Sequence, residues 1–104
     1  VLCDVPCSGS GAWRRSPEGK WRLTPEKLSD LLATQARILD ECTVHVAPGG
    51  YLAYATCSLL PCENTKQIQE FLTRHSGWVL SKQRQFLPQD GGDGFFVAIL
   101  TRSV

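Results

Sequence analysis

Two cysteine residues lie where a thiol could take part in chemistry. Cys7 closes the segment that begins at Asp4, and Cys57 follows the apolar run Tyr51–Ala55. Each cysteine comes directly after a short apolar run typical of a buried strand, and turn-forming residues follow it. If the two runs are neighbouring parallel strands, both thiols emerge at the carboxyl edge of one sheet, where open α/β sheets bind ligands. Because a thiolate is a strong nucleophile, Cys7 and Cys57 together with Asp4 are a candidate catalytic centre.

The residues around the two thiols also suit a reaction site. Cys57 lies in the turn between a predicted strand and a predicted helix, where the helix dipole favours a thiolate. Pro6 fixes the backbone before Cys7, and Gly9 and Gly11 let the following loop pass close to a ligand. A lone cysteine at a strand end is more often a small buried apolar residue. That structural role is expected for the other three cysteines, which are Cys3, Cys42 and Cys62.

Composition and charge narrow the classes of function. The chain has 104 residues, 42% of them hydrophobic and 20% charged, with a net charge of +1. That charge argues against a broad nucleic-acid footprint, so any such binding is expected to be local or to depend on other parts of a protein. No apolar stretch reaches the roughly 20 residues of a membrane span. The five cysteines include no C-x-x-C pair and lack histidines in ligand spacing, so reduced thiols are expected and a metal site is not.

The predicted elements begin with a strand at 1–5 and a polar loop to about Leu23. Thr24 has the character of an N-cap, and a helix is predicted from Pro25 to Val46. Apolar or small residues follow one face of that helix, with Gln35 as an exception. The face is formed by Leu28, Leu31, Leu32, Ile38, Leu39, Cys42 and Val46.

The second half continues with a strand at Tyr51–Ala55 that is expected to be covered on both faces. A second helix begins at Pro61 or Cys62, and Gly77 is expected to end it in the left-handed conformation. Strands at 78–83 and 95–100 follow. The order β-α-β-α-β-β predicts an α/β fold with two parallel crossovers and a hairpin-like final pair whose last strand is antiparallel. The inward face of the second helix is predicted to comprise Thr65, Ile68, Phe71, Leu72 and His75.

The loop after the first strand carries aromatic residues between cations. Trp13 and Trp21 are most simply expected to pack on their own loop, and the neighbouring cations to form a solvated face. Interleaved cations and aromatics are also typical of surfaces that bind nucleic-acid backbone and stack bases. The cations in question are Arg14, Arg15, Lys20 and Arg22.

The two cysteine motifs, Asp4-Val5-Pro6-Cys7-Ser8-Gly9-Ser10-Gly11 and Tyr54-Ala55-Thr56-Cys57-Ser58, together resemble the signatures of the Nol/Nop/Sun (Sun/Fmu-like) RNA cytosine-5 methyltransferases. The resemblance covers essentially the whole chain and is strongest to bacterial ribosomal RNA methyltransferases. It extends to the segments at 14–21, 35–40, 61–64 and 93–96.

This resemblance implies a mechanism for the thiols. Cys57 is expected to add to carbon-6 of cytosine, which makes carbon-5 able to take a methyl group from S-adenosylmethionine. Cys7 is expected to assist proton removal and product release. Asp4 is expected to hydrogen-bond the flipped base and, with Pro6, to border the cofactor site. The resemblance also implies a cytoplasmic bacterial enzyme whose partner is RNA, ribosomal RNA above all, with no membrane association.

The resemblance also implies that the chain is the C-terminal half of a Rossmann-like class I methyltransferase domain, with its last four strands. The first strand and glycine-rich turn of the cofactor site are missing, so 1–104 alone is expected to be inactive. The exposed edge of the Val1–Val5 strand is expected either to pair with a second copy in a homodimer or to leave the N-terminus disordered. One alternative is a non-catalytic remnant that binds RNA or a protein. Another, a thiol-dependent hydrolase, lacks a suitably placed histidine, since His45 and His75 lie at helix ends.

Overall fold

The computed structural model describes residues 1–12, 18–87 and 93–103. These residues form a four-stranded sheet with two main helices, in the order β-α-β-α-β-β that the sequence predicts, and with one additional short helix. The elements are β1 (Leu2–Asp4), α1 (Glu18–Arg22), α2 (Pro25–Cys42), β2 (Tyr51–Thr56), α3 (Thr65–Arg74), β3 (Trp78–Phe86) and β4 (Phe95–Arg102).

The strands are arranged in the order β1-β2-β4-β3. β1 and β2 are parallel neighbours, with Asp4 opposite Ala55. β4 lies between β2 and β3 and is antiparallel to both. β3 therefore runs in the same direction as β2, as a parallel crossover requires, but the two do not pair. The antiparallel final strand is confirmed, and the carboxyl ends of β1 and β2 lie side by side.

Helix α2 begins as its sequence predicts and ends earlier. The Thr24 side chain accepts a hydrogen bond from the Lys27 backbone at 3.1 Å, with Pro25 in the first turn. The helix ends at Cys42, and a 3-10 turn continues to His45. The hydroxyl of Thr43 donates to the carbonyl of Asp40 at 2.7 Å, and such local bonds compete with a regular helix. The predicted end at Val46 was therefore too late.

Helix α3 differs from its prediction at both ends. A 3-10 turn, Pro61–Glu63, precedes it, so the regular helix begins at Thr65. At the other end, Gly77 does not have a positive φ, and the prediction of a left-handed stop there was wrong. The chain leaves the helix at His75, which is extended, and the His75 ring bonds the carboxylate of Asp40 at 2.7 Å. That contact fixes the helix end without a left-handed residue.

The main core lies between the two long helices and one face of the sheet. Phe71 of α3 packs edge-on against Trp78, and Tyr54 packs edge-on against Phe96. The other face is less covered, since Leu2 is 69% and Tyr51 60% exposed. The expectation of a second strand covered on both faces was therefore wrong at its first residue. Other fully buried core residues are Leu39, Leu52, Ile68, Ala98 and Leu100.

β1 forms one edge of this sheet, so its outer side has no partner among the described strands. The homodimer through this edge stays a prediction. Within the described residues, no helix is both long enough and apolar enough to cross a membrane.

Candidate active site

Two loops meet at the carboxyl edge of the sheet, one after β1 and one after β2. They are held together because their strands are parallel neighbours and the backbone pairing continues past the strand ends. Val5 donates to the carbonyl of Ala55 at 3.2 Å, and Gly11 donates to the carbonyl of Cys57 at 3.0 Å. The segment 5–11 is thus fastened alongside the segment 57–60, and each segment carries one of the two motif cysteines.

The two thiols occupy different environments within this pair of loops. Cys57 is exposed, whereas Cys7 is half-buried. The sulfur of Cys7 lies within hydrogen-bonding reach of the backbone amides of Gly9 and Cys57. Burial is the main cause that raises the pKa of Cys7, and the charge of Glu63 acts in the same direction, against the opposing effect of the two amides. Cys7 therefore keeps its proton at neutral pH.

The remaining predicted site residues lie at the same edge of the sheet. Asp4 is the last residue of β1 and is exposed. Pro6 is exposed too, and its carbonyl accepts a hydrogen bond from the amide of Gln35 at 2.9 Å. The structure thus brings Asp4, Pro6, Cys7 and Cys57 to one region. S-adenosylmethionine, the cofactor expected from the sequence, would contact the exposed Asp4 carboxylate here. This placement agrees with a residue that borders a cofactor site.

A buried carboxylate connects the loop after β1 to the loop after β2. Glu63 is fully buried, and its side chain accepts four hydrogen bonds. Ser8 donates from its backbone at 2.8 Å and from its hydroxyl at 2.5 Å. Ser58 donates from its hydroxyl at 2.5 Å, and Gln35 from its amide at 2.9 Å. Both oxygens of this buried carboxyl group therefore have hydrogen-bond donors from the protein.

Further buried polar groups extend this network toward β3. Thr56 donates to Asn64 at 2.6 Å, and the Asn64 amide donates to Gln85 at 2.7 Å and to the Ser58 carbonyl at 2.9 Å. The hydroxyl of Ser10 lies 3.0 Å from that of Ser58. Hydrogen bonds from several elements therefore fix the loop after β2, and exposed Cys57 lies on this fixed loop.

The first loop also passes very close to the segment before β4. Gly94 donates to the carbonyl of Gly11 at 2.8 Å. A Cβ atom at position 11 would overlap the carbonyl of Gly94. Glycine is therefore required here for close backbone contact. Gly9 has a φ of +73° and supplies the left-handed residue of the same loop.

The other three cysteines lie outside the two motifs. The sulfurs of Cys3 and Cys42 lie 2.9 Å apart beneath β1, and all five cysteines are free. Burial, reinforced by Cys42, raises the pKa of Cys3 to about 12. Cys62 is half-buried on the helix side. These three positions agree with the structural role expected for them.

Sequence reasoning missed part of this site. Glu63 and Gln35 were not predicted as functional, although the single polar residue on the apolar face of α2 was a signal for the latter. Trp21 was expected to pack on its own loop, and this was wrong, because it is 82% exposed, with Lys20 and Arg22 also exposed beside it. Trp13, Arg14 and Arg15 lie outside the described residues.

Both histidines of the chain lie at helix ends. His45 lies in the turn after α2 and the His75 ring bonds Asp40, and neither is among the groups that act on the pKa of Cys7. Within residues 1–12, 18–87 and 93–103, no group of three metal-ligating side chains is arranged to hold an ion.

Known proteins resemble this chain over its whole length. The model of the family "16S rRNA methyltransferase RsmB/F" matches residues 1–101. The ribosomal RNA small subunit methyltransferase B of Pectobacterium carotovorum is 42% identical over 99% of this chain and 26% of its own length. The chain thus spans about a quarter of that relative.

Solved structures give the same result for the fold. The crystal structure of the protein PH0851 superposes with a TM-score of 0.92 and 34% identity, over 98% of this chain and 26% of that one. A methyltransferase homologue from Pyrococcus horikoshii superposes with a TM-score of 0.82 and 27% identity, over 100% of this chain and 38% of that one. The architecture is therefore that of Rossmann-like methyltransferases.

Proposed function

The chain belongs to the 16S rRNA methyltransferase RsmB/F family, and we propose that it carries the catalytic thiols of an enzyme that methylates carbon-5 of a cytosine in ribosomal RNA. The observation that supports this best is the pairing of two unlike thiols. Exposed Cys57 and half-buried Cys7 lie on adjoining loops at the sheet edge where such folds bind ligands.

The reaction follows from the weak nucleophilicity of carbon-5. The thiolate of Cys57 adds to carbon-6 of the cytosine, and the electron pair of the carbon-5 to carbon-6 double bond moves to make carbon-5 nucleophilic. S-adenosylmethionine, when bound, would supply an electrophilic methyl group to carbon-5, and its sulfur would keep the electron pair of the broken sulfur–methyl bond. A base then takes the carbon-5 proton, the double bond re-forms, and the bond between carbon-6 and the Cys57 sulfur breaks to release the thiolate.

The environments of the thiols support this division of roles. Because burial raises the pKa of Cys7, that thiol begins the cycle protonated and is unsuited to the first attack. Cys57 is accessible to a base from solvent. A raised pKa makes the Cys7 thiolate a stronger base, so Cys7 can take up the carbon-5 proton once its own proton has passed to solvent.

Asp4 and Pro6 are proposed to border the cytosine and the methyl donor. An exposed carboxylate at the end of β1 can accept a hydrogen bond from the amino group of a base that has left its stack. Pro6 lacks an amide proton, and its carbonyl is already bonded to Gln35, so it offers an apolar wall rather than a polar group.

Ribosomal RNA is proposed as the partner, and the bacterial cytoplasm, where that RNA is made, as the location. Trp21 supports this, since an exposed indole between Lys20 and Arg22 can stack on a base while the cations meet phosphates. The relatives' names specify ribosomal RNA of the small subunit, and the net charge of +1 leaves room only for such local contacts.

The test uses the full-length gene product, 16S rRNA and S-adenosylmethionine, followed by digestion of the RNA and mass spectrometry of its nucleosides. We expect 5-methylcytidine with the wild-type protein, none with Cys57→Ala, and wild-type amounts with the control Cys62→Ala. A different methylated nucleoside, or full activity of Cys57→Ala, would refute the proposal. RNA binding without any methylation would favour the alternative of a non-catalytic binding module.

A further inference from the structure

The carboxylate of Glu63 is placed where the two cysteine loops can share it. Its donors Ser8 and Ser58 each come one residue after a motif cysteine, and its third partner, Gln35, belongs to α2. Each loop therefore reaches the same anchor by a hydroxyl at 2.5 Å. The relative position of the two thiols is set by how closely these hydroxyls approach one carboxyl group.

The anchor is itself held by rigid elements. The phenol of Tyr54 on β2 donates to the backbone carbonyl of Glu63 at 2.7 Å. The amide of Gln35 donates both to the Glu63 carboxylate and to the Pro6 carbonyl, each at 2.9 Å. A strand thus fixes the backbone of Glu63 and a helix its carboxylate, and both cysteine loops bond to that carboxylate. Groups supported in this way hold a reactive geometry better than free loops do.

Packing alone does not explain a charge at this position. Taking a carboxylate out of water is costly even after the protein relaxes, and well-packed apolar residues often replace buried charges without loss of stability. Glu63 is nevertheless fully buried and satisfied by donors from three segments of the chain. Its charge also contributes to the raised pKa of Cys7, so it acts on one thiol electrostatically as well as through the backbone.

We propose that Glu63 is a positioning residue for methyl transfer, which ties Ser8 and Ser58 to one buried carboxylate and thereby sets the spacing of Cys7 and Cys57. This inference rests on the proposed function and extends it. Glu63 touches no substrate in this role. It acts through the two serines and through its charge.

The experiment measures how fast the full-length gene product forms a covalent adduct with a 16S rRNA transcript that contains 5-fluorocytidine, with S-adenosylmethionine present. Fluorine at carbon-5 cannot leave as a proton does, so the bond to Cys57 persists. Glu63→Gln is expected to slow adduct formation by about 100-fold, the order of effect of a misplacement of about 1 Å. RNA affinity by filter binding should stay unchanged. The control Glu70→Gln, an exposed carboxylate on α3, should keep the wild-type rate.

A second readout separates positioning from mere folding. The pH dependence of iodoacetamide labelling at Cys7, followed by peptide mass spectrometry, should shift to lower pH in Glu63→Gln, because the charge that disfavours the Cys7 thiolate is gone. If Glu63→Gln does not fold, Ser8→Ala takes its place. It leaves the carboxylate with three donors and should slow the adduct several-fold.

The outcomes distinguish this inference from the function on which it rests. Absence of an adduct with the wild-type protein would refute the proposed function. An adduct formed at the wild-type rate by folded Glu63→Gln, or by Ser8→Ala where Glu63→Gln does not fold, would refute the positioning role and leave the proposed function intact. Slower adduct formation with an unshifted pH profile at Cys7 would refute the electrostatic part of the inference.

Discussion

Replacement of Gln35 by leucine distinguishes two accounts of helix α2 by the sign of its effect. Position 35 lies on the apolar face of the helix and is fully buried. If that face served only for packing, Gln35→Leu would remove a buried polar group and stabilise the protein. If Gln35 instead connects the helix to the Glu63 network, the same change deprives several buried groups of their partners and destabilises it.

The contacts of Gln35 give the magnitude. Its amide donates at 2.9 Å to the Glu63 carboxylate and at 2.9 Å to the Pro6 carbonyl, and its oxygen accepts from Gln67 at 3.2 Å. The bond to the carboxylate is worth about 1.5–3 kcal/mol and the bond to the carbonyl about 1 kcal/mol. Unsatisfied partners add about 1–3 kcal/mol, and the burial of leucine returns about 2 kcal/mol. The free energy of unfolding should fall by about 1.5–5 kcal/mol.

Urea unfolding of the full-length gene product, followed by tryptophan fluorescence and circular dichroism, measures this change. Trp78 is buried beside Phe71 and reports on the core between α3 and the sheet. The matched control is Gln69→Leu, at an exposed position on α3, whose effect should stay within about 0.5 kcal/mol. A raised or unchanged midpoint for Gln35→Leu would show that the network contributes nothing to stability, and the reasoning would be wrong.

Three further predictions concern the loop, a helix contact and the thiols. Gly11→Ala should destabilise the protein by about 1–3 kcal/mol, because the added Cβ would overlap backbone atoms of Gly94. The control Gly77→Ala, with open space around position 77, should leave stability unchanged. Equal effects of the two changes in thermal melts would contradict this. Burial raises the pKa of Asp40, but the hydrogen bonds and charge interactions with Arg74 and His75 outweigh it and lower the pKa below 3.8. The stabilising effect of Asp40 is therefore present above pH 3.8 and is lost as pH falls through the lower folded value. In acid titrations the advantage over Asp40→Asn should shrink in this range, and a constant difference would refute the contact. The pKa of Cys3 is about 12 against an ordinary 9.0, so at neutral pH Cys3 has about a thousandfold less thiolate than an ordinary cysteine. Iodoacetamide should therefore label exposed Cys57 far ahead of Cys3. Equal labelling of the two in mass spectrometry would contradict the burial of Cys3.

The elements of the fold could be predicted because their signals are local. The Thr24 cap, the apolar face of α2 and the apolar run of β2 each lie within a few residues of sequence. The ends of the helices could not be predicted, because they depend on contacts between helices. The bond between His75 and Asp40 joins residues on different elements, and no local pattern indicates it.

The candidate site likewise has residues that local sequence predicts and residues that only contacts between distant segments reveal. Asp4 ends β1, and Cys7 and Cys57 come shortly after β1 and β2, so parallel pairing alone predicts that the three meet at one edge. Glu63 lies in what the sequence predicts to be the start of a helix, and its donors come from positions 8, 35 and 58. A buried carboxylate is visible only when such distant segments are assembled. Gln35, the exception on an apolar face, was the one local sign of it.

Mapping the covalent bond between enzyme and RNA tests the central claim most directly. With 5-fluorocytidine RNA, peptide mass spectrometry of the full-length gene product should find the nucleotide on Cys57. With ordinary cytidine RNA, Cys7→Ala should accumulate the same Cys57 adduct. In this variant the base that removes the carbon-5 proton is absent, so the bond to Cys57 does not break. A nucleotide attached to Cys7, or an undiminished adduct in Cys57→Ala, would contradict the roles assigned to the two thiols.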